Sequence, residues 1–447
     1  MRRLRRRRGR ACIAAGRWTL AVCAIAAFAA RGAAAQRAAG APLLRLGDAY
    51  RALDQDNPRI HAARDLAAAV DAGVRAASLP PDPQLQLGFM NYELPGLRPM
   101  APLGMVQLQV MQMIPLPGKL GLAGAAARAH RDAAREGVEA ARWNARVDLA
   151  SAFYELYRID AQFAVARRTI ALLGDIEQTA QAMYRVGQGS QPDVLRAQVE
   201  LARMAEDTLR MVAVRSAAAA QFDAQLDLPA DRVPGAAALP AFPEAVPDQD
   251  SLIALALADR PAVRAGSDEV AAAQRRHEFA ARDRWPDLAV GVQLGRRPGM
   301  STTMGSLMVG AAIPVFMGAR QDGARDAAAA MAEMSRAELR ATQADTRAAV
   351  ITAYADVMRA RRLEALYRHT VLPQAEAAAA SALASYRVGR VDFMTVLDDR
   401  MTVNRYEQAL RQLEADEGKA WARLEALVAR PLIDANSTAA SAPGENQ

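Results

Sequence analysis

Cysteine is scarce in this 447-residue sequence, which has only Cys12 and Cys23, and none follows residue 35. Downstream of that point the chain therefore has no disulfide, no thiolate metal site and no cysteine nucleophile. No apolar run after residue 35 reaches the roughly 20 residues that a membrane-spanning helix needs. Any membrane insertion by that part of the chain must therefore use strands.

Patterns typical of catalysis are also absent. There is no glycine-rich nucleotide loop and no Gly-x-Ser-x-Gly elbow. The eighteen methionines offer soft thioether ligands that suit copper(I), but those in strands more often fill space. We therefore expect no enzymatic activity, no cofactor and no metal site. The four histidines are isolated and lack ligand spacing: His61, His130, His277 and His369.

The N-terminus has the pattern of a secretory signal peptide over residues 1–35. A basic segment ends at Arg10, an apolar stretch runs from Trp18 to Ala30, and a small-residue site ends at Ala35. The alternatives are a membrane-anchoring helix, for which the apolar stretch is short, and lipid attachment at Cys23. Nine arginines precede Gln36, and their charge of +9 exceeds the formal net charge of the whole sequence, which is +7. The remaining chain is slightly acidic, so nucleic acid is not an expected partner.

One short sequence occurs twice. Tyr184-Arg-Val-Gly187 returns as Tyr386-Arg-Val-Gly389 about 200 residues later, and other segments repeat at a similar offset. This period is far too long for a solenoid unit and indicates duplication of a large hairpin structure. The predicted division is a first repeat over 43–228, a proline-rich connector over 229–249, a second repeat over 250–430 and a disordered tail over 431–447.

Each repeat is predicted to contain a short helix, two strands, a very long helix, a turn and another long helix. Apolar and polar residues alternate in the strands, as at Leu85, Leu87 and Phe89. This alternation fits either a soluble sandwich or a membrane barrel, and lengths of 8 to 11 residues favour a tilted membrane crossing. Four strands cannot close a membrane barrel, so several chains would share one.

The long helices are predicted from about Leu120 to Arg185 and from about Gln321 to Val388. The first contains no proline and the second only Pro373, where we expect a kink or break. About 65 residues at 1.5 Å each reach roughly 100 Å. Helices of this length must pack side by side as coiled coils.

The repeated turns are predicted to be the tips of two helical hairpins. Gly187 and Gly389 suit the left-handed position that ends a helix, and Ser190 and Asp392 suit the cap of the next one. Those features account for only part of the repetition. Exposed arginine and valine far from a core favour docking against a partner helix. These residues are Arg185, Val186, Arg387 and Val388.

The chain resembles the outer-membrane efflux proteins of the TolC type over nearly all of its length after residue 35. The similarity is carried by Asn57-Pro58, Arg260-Pro261, the four strands, the Ile-Pro segments and the two Tyr-Arg-Val-Gly turns. It implies a mainly α fold with two repeats and a homotrimer with a 12-stranded outer-membrane β-barrel. A periplasmic α-barrel of 12 helices would continue from it. It further implies hairpin tips that engage a periplasmic adaptor protein, and an inner-membrane pump of the RND type.

Members of that family close the periplasmic end with acidic rings. Asp398 is kept here, whereas Thr395 replaces the other aspartate; Asp399 and Asp193 are the further candidates for a gate. Segments such as Phe89-Met-Asn-Tyr resemble the heavy-metal branch, so the expected cargo is metal cations. The alternatives are a duct for drugs or secreted proteins, and a soluble periplasmic coiled-coil adaptor or scaffold.

Overall fold

The computed structural model describes residues 43–100, 103–229, 232–298, 301–313 and 315–436. The predicted signal peptide and most of the predicted tail lie outside these residues. Within them, the two halves have the same order of elements. The first half contains α1 (Leu46–Asp56), α2 (Pro58–Ala77), β1 (Gln84–Met90), β2 (Tyr92–Glu93), β3 (Arg98–Pro99), β4 (Met105–Ile114), α3 (Lys119–Arg185) and α4 (Gln191–Gln225).

Among its described residues, the second half has no counterpart of the two very short strands of the first hairpin loop. It contains α5 (Gln249–Asp259), α6 (Pro261–Arg282), β5 (Leu288–Arg296), β6 (Thr303–Ala311), α7 (Met317–Leu366), α8 (Leu372–Arg387) and α9 (Phe393–Val428).

Each half begins with two helices, so the prediction of one short helix was wrong. The residue before a proline avoids the helical conformation, and Asn57 and Arg260 accordingly adopt extended backbone. Asn57 also caps the next helix, because its side chain accepts hydrogen bonds from the N–H groups of Arg59 at 2.9 Å and Ile60 at 3.2 Å. The Asn-Pro and Arg-Pro segments therefore separate paired helices.

The four long strands form one antiparallel sheet in the order β1-β4-β5-β6. The central pairing of β4 with β5 joins the two halves. Cross-strand partners continue the predicted alternation, since Leu87 lies opposite Leu108 and Leu108 opposite Leu294. One face is therefore largely aliphatic across all four strands, with Gln112 and Arg296 on it only near the strand ends. No helix in the described residues is long and apolar enough to cross a membrane.

The first long helix, α3, has 67 residues, which corresponds to about 100 Å. The second long helical segment begins earlier than predicted, at Met317, and its predicted break is confirmed. A π-helical turn over Tyr367–Val371 separates α7 from α8. Pro373 lies in the first turn of α8, where its missing N–H interrupts the regular hydrogen-bond ladder.

The long helix α3 lies in the middle of the helical bundle. Its N-terminal part packs against α2 and α6, and its C-terminal part packs against α4 and α9. At the sheet end, the buried Lys119 ammonium group donates to Asp283 at 3.1 Å and Asp287 at 2.8 Å. These ion pairs fix the start of α3 to the segment that leads into β5.

A belt of short elements surrounds the middle of the helices. In it, α1 packs on α3 around Leu53, Phe153 and Tyr154, and α5 packs on α7 and α9 around Trp421. The last described residues complete the belt, because Glu425 accepts hydrogen bonds from the N–H groups of residues 432 and 433. The predicted disorder of the tail is therefore wrong for residues 431–436.

Candidate functional site

Both predicted tips end their helices with the same hydrogen bonds. Gly187 and Gly389 have φ values of 76° and 71°. The Gly187 N–H donates to the Tyr184 carbonyl at 3.0 Å, and the following N–H donates to the Met183 carbonyl at 2.9 Å. The second tip repeats this pattern, with Gly389 donating to the Tyr386 carbonyl at 2.9 Å. This is a Schellman motif, which favours glycine because its backbone is left-handed.

The helices that leave the tips are capped in two different ways. At the first tip, the Ser190 N–H donates to the Asp193 carboxylate at 3.3 Å. At the second tip, the Asp392 carboxylate accepts from the Thr395 hydroxyl at 2.5 Å and the Thr395 N–H at 3.1 Å. These hydrogen bonds from Thr395 lower the pKa of Asp392. Thr395 thus stabilises the second turn.

The apex of each tip is open. Val186 and Val388 are 68% and 67% exposed, and Arg185 and Arg387 are exposed beside them. A Cβ atom placed on either tip glycine would meet no described atom within 4 Å. The predicted docking residues therefore form two free surfaces on which another molecule could pack.

The two tips differ beneath the apex. Tyr386 is 5% exposed, whereas its counterpart Tyr184 is 48% exposed. Tyr386 packs edge-on against Phe393 with ring centroids 5.6 Å apart. The first repeat has Gln191 at the position of Phe393 and cannot form this pair. The second tip is consequently the more firmly packed one.

The two tips lie side by side. One buried cluster joins both hairpins, with Ala180 and Ala197 from the first and Tyr386 and Val396 from the second. Burial, and then the charge of Asp193, raise the pKa of Tyr386, which places that carboxylate near the second tip.

The predicted gate acids have different surroundings. Asp398 is exposed, whereas Asp399 and Asp193 are half-buried. Asp193 is engaged in the first helix cap, and neither Asp398 nor Asp399 forms a hydrogen bond or ion pair within the described part of the chain. The structure thus leaves two adjacent carboxylates without partners on one turn of α9.

Sequence reasoning missed a charged cavity between the hairpins. It has a volume of about 240 Å³ and lies between α3, α8 and α9. Its charged lining residues are Asp175, Glu376, Arg387 and Arg400. The Nε atom of Arg400 is buried without a hydrogen-bond partner, and burial lowers the pKa of this guanidinium. No short motif unites these residues, because they come from three helices.

A buried carboxylate network was also missed. Next to the π-helical turn, Glu414 accepts from the Tyr157 hydroxyl at 2.6 Å and from Arg368 at 2.9 Å. Glu417 accepts from Arg361 at 2.8 Å. Burial, and then a hydrogen bond with Glu417, raise the pKa of Glu364 to about 7. In the described residues no cluster of three or more His, Cys, Asp or Glu is placed to hold a metal ion.

Comparison with protein families identifies the class of this chain. The family described as outer membrane efflux protein matches residues 49–224 and 252–430. Because the match covers more than half of the chain, the protein belongs to this family of outer-membrane efflux channels. The expected resemblance and the mainly helical fold class with few strands are thereby confirmed. A search of curated proteins found no match.

Solved structures with a similar fold include two channels and an outer membrane protein. The channel OprN has a TM-score of 0.75 and 18% identity, with 88% of this chain and 95% of that chain covered. CusC has a TM-score of 0.75 and 15% identity, covering 87% and 92%. VceC from Vibrio cholerae has a TM-score of 0.74 and 17% identity, covering 87% and 96%. At these identities the likeness concerns the fold alone.

Proposed function

We propose that this protein is the outer-membrane exit duct of a tripartite efflux system. It is a passive conduit with no enzymatic activity or cofactor, coupled through a periplasmic adaptor to an inner-membrane pump of the RND type. The observation that carries the proposal is an uncovered sheet with one aliphatic face, which leads into helices of about 100 Å.

The aliphatic face supports a position in lipid. Leu85, Val110, Val292 and Leu307 are all exposed on it, and no helix in the described residues packs extensively on the sheet. A soluble sandwich would cover such a face with a second layer. Exposed aromatic rings also lie near the helical end of the sheet, as expected at a membrane boundary. They are Trp285 and Phe316.

Incomplete edges support a homotrimer. β1 and β6 each have one unpaired edge, and three copies of four strands give a closed barrel of 12. The outer helices also present exposed aliphatic residues that neighbouring chains would cover: Leu195, Val199, Leu209 and Val212 on α4, and Met331 and Ile351 on α7. Together the helices would form a periplasmic α-barrel of 12.

The open tips support docking of the adaptor. Three chains would present six tips of two alternating kinds, with docking by Arg185, Val186, Gly187 and Ser190 of the first and Arg387, Val388, Gly389 and Asp392 of the second. Asp398, Asp399 and Asp193 would form a cation-attracting gate near them. The same proposal includes a signal peptide over 1–35, two repeats over 43–228 and 250–430, and a connector over 229–249.

The proposed cargo is heavy-metal cations, because segments of the first repeat resemble that branch of the family. Drugs and secreted proteins are the alternative cargoes. The proposed location is the outer membrane of a Gram-negative bacterium, with the helices extending into the periplasm.

Cell fractionation tests this proposal against a soluble adaptor or scaffold. We expect the full chain in the outer-membrane fraction, from which only detergent releases it. Recovery in the soluble periplasm without detergent would contradict the exit-duct proposal and favour the soluble alternative.

A further inference from the structure

The second face of the sheet carries no charge. Along β1, β4, β5 and β6, the side chains that alternate with the aliphatic ones are only glutamine, methionine, serine, glycine and alanine. Glutamines and a serine form a continuous row, in which Gln109 lies opposite Gln293 and Gln293 opposite Ser306. This face is therefore neutral, with methionines above and below a polar row.

The methionines on this face flank glycines of β5. Met111 lies directly opposite Gly291, and Met308 lies opposite the same glycine from the other side. A Cβ atom on Gly291 would lie 3.6 Å from the Met111 Cβ atom. Because glycine has no side chain, no group on β5 separates the methionines of the two neighbouring strands at this level. Their flexible side chains can therefore approach each other.

A related arrangement lies four residues further along β5 at Gly295, whose direct partner on β4 is Gln107 and not a methionine. Met304 lies opposite Gly295. The Met105 sulfur reaches over that glycine, since a Cβ atom placed there would lie 2.7 Å from Met105 Sδ. Two levels, each with two methionines around one glycine, are thus separated by the row that contains Gln293.

Space filling does not explain these methionines. Methionine fills irregular gaps in a core, but no second layer of the described chain covers this face. Met111 and Met308 are half-buried. The thioether groups of these methionines are therefore available to ions on the neutral side of the sheet.

We propose that Met111 with Met308, and Met105 with Met304, form two thioether sites for soft monovalent cations of the copper(I) class. Thioethers are soft, uncharged ligands that select such ions over magnesium or calcium. The role of the sites in transport rests on the proposed function, because only in a barrel does this face line the lumen. Neutral ligands at successive levels would let an ion bind and leave again. These sites differ from the expectation, drawn from the sequence, of no metal site.

Titration with silver(I), a redox-stable probe of the same class, tests the proposal. The full chain in detergent micelles, with methyl-labelled methionine, is followed by NMR in chloride-free buffer. Met111→Leu and Met304→Leu remove one sulfur each and conserve side-chain volume. We expect saturable shifts of the four methionine methyl signals and about tenfold or greater loss of silver affinity at the substituted level.

Two controls make the result specific. Met334→Leu removes an exposed methionine of α7 and should leave the silver affinity unchanged. Gly295→Ala, whose new methyl group displaces the Met105 sulfur, should weaken only its own level. Equal shifts of all methionines, or no loss in Met111→Leu, would overturn the proposal.

Conductance of the same variants in planar bilayers separates the two proposals. Each site lies within one chain, so silver binding does not require a closed barrel. Binding by a protein that conducts no ions would refute the exit duct and leave the thioether sites standing. Conduction without silver binding would refute the thioether sites alone.

Discussion

Tyr386 packs edge-on against Phe393 at the second hairpin tip, with ring centroids 5.6 Å apart. The same pair cannot form at the first tip, where Gln191 takes the place of Phe393. The two turns therefore have the same backbone conformation but different side-chain packing beneath it. If both tips dock onto an adaptor, they do so as surfaces of different rigidity.

Replacing Phe393 by alanine should loosen the second tip. The ring is buried, and truncating such a residue costs about 3 kcal/mol. Hydrogen exchange of the amides around Gly389 measures the local opening free energy, which we expect to fall by this amount. Gln191→Ala, at the equivalent exposed position, should change the exchange at its own tip by less than about 0.5 kcal/mol. Equal losses at both tips would argue against the difference between them.

Replacing Gly187 or Gly389 by valine should weaken adaptor binding. The left-handed backbone costs an L-residue about 1–2 kcal/mol, although no atom obstructs the new side chain. We expect reduced cross-linking to the adaptor in cells with normal trimer yield. Gly323→Val, at an exposed helical glycine, is the matched control and should be close to neutral. Unimpaired cross-linking in both tip variants would remove the docking role.

Charge on the aliphatic face should impair membrane assembly. Val292→Arg places a cation where we propose lipid, at a cost of about 2–4 kcal/mol near the bilayer centre. Gln293→Arg, the neighbouring position on the neutral face, should be milder. Refolding into lipid vesicles, followed by gel mobility with and without heating, gives the folded fraction. Equal tolerance at both positions would defeat the assignment of the faces.

Glu364 should make stability depend on pH in the neutral range. Its pKa is raised from 4.5 to about 7, so the protonated form is favoured in the folded chain. The stabilisation is fully present below about pH 4.5 and is lost as pH rises through about 7. Glu364→Gln keeps a neutral hydrogen-bonding group and should flatten the decline of the melting temperature over this range. An unchanged pH profile would exclude Glu364 as its source.

The pH dependence of stability that Glu155 contributes should have the opposite sign. Hydrogen bonding by Arg158, the leading cause, and by Lys419 lowers the pKa of Glu155 to about 2. Its contribution is therefore present above about pH 4.5 and is lost as pH falls through about 2. Glu155→Gln should lower the melting temperature at neutral pH and have little effect in strong acid. A decrease of equal size at both extremes would point to packing instead of charge.

Local patterns predicted much of the fold. Alternation at Leu85 and Leu87 gave the correct face of the strands, Gly187 and Gly389 marked the ends of helices, and Pro373 marked the break. The second short helix in each half was missed although Asn57-Pro58 interrupts the helix in a recognisable way. Asn57-Pro58 was interpreted only as one of the segments that carry the family resemblance, which does not reveal that helix continues on both sides.

Relationships between distant residues were not predictable in the same way. The carboxylate network combines Tyr157 and Glu364 with Glu414, and the charged cavity draws on three helices. The pairing of the methionines was not predictable either, because it depends on the strand register, which places Met111 and Met308 on opposite sides of Gly291. Sequence spacing fixes periodicity within an element but not which elements become neighbours.

The most direct test of the exit-duct proposal is conductance of the purified full chain in planar lipid bilayers, combined with its native mass in detergent. The account predicts discrete ion-conducting steps from a particle of three chains. A water-soluble particle that produces no conductance would contradict it.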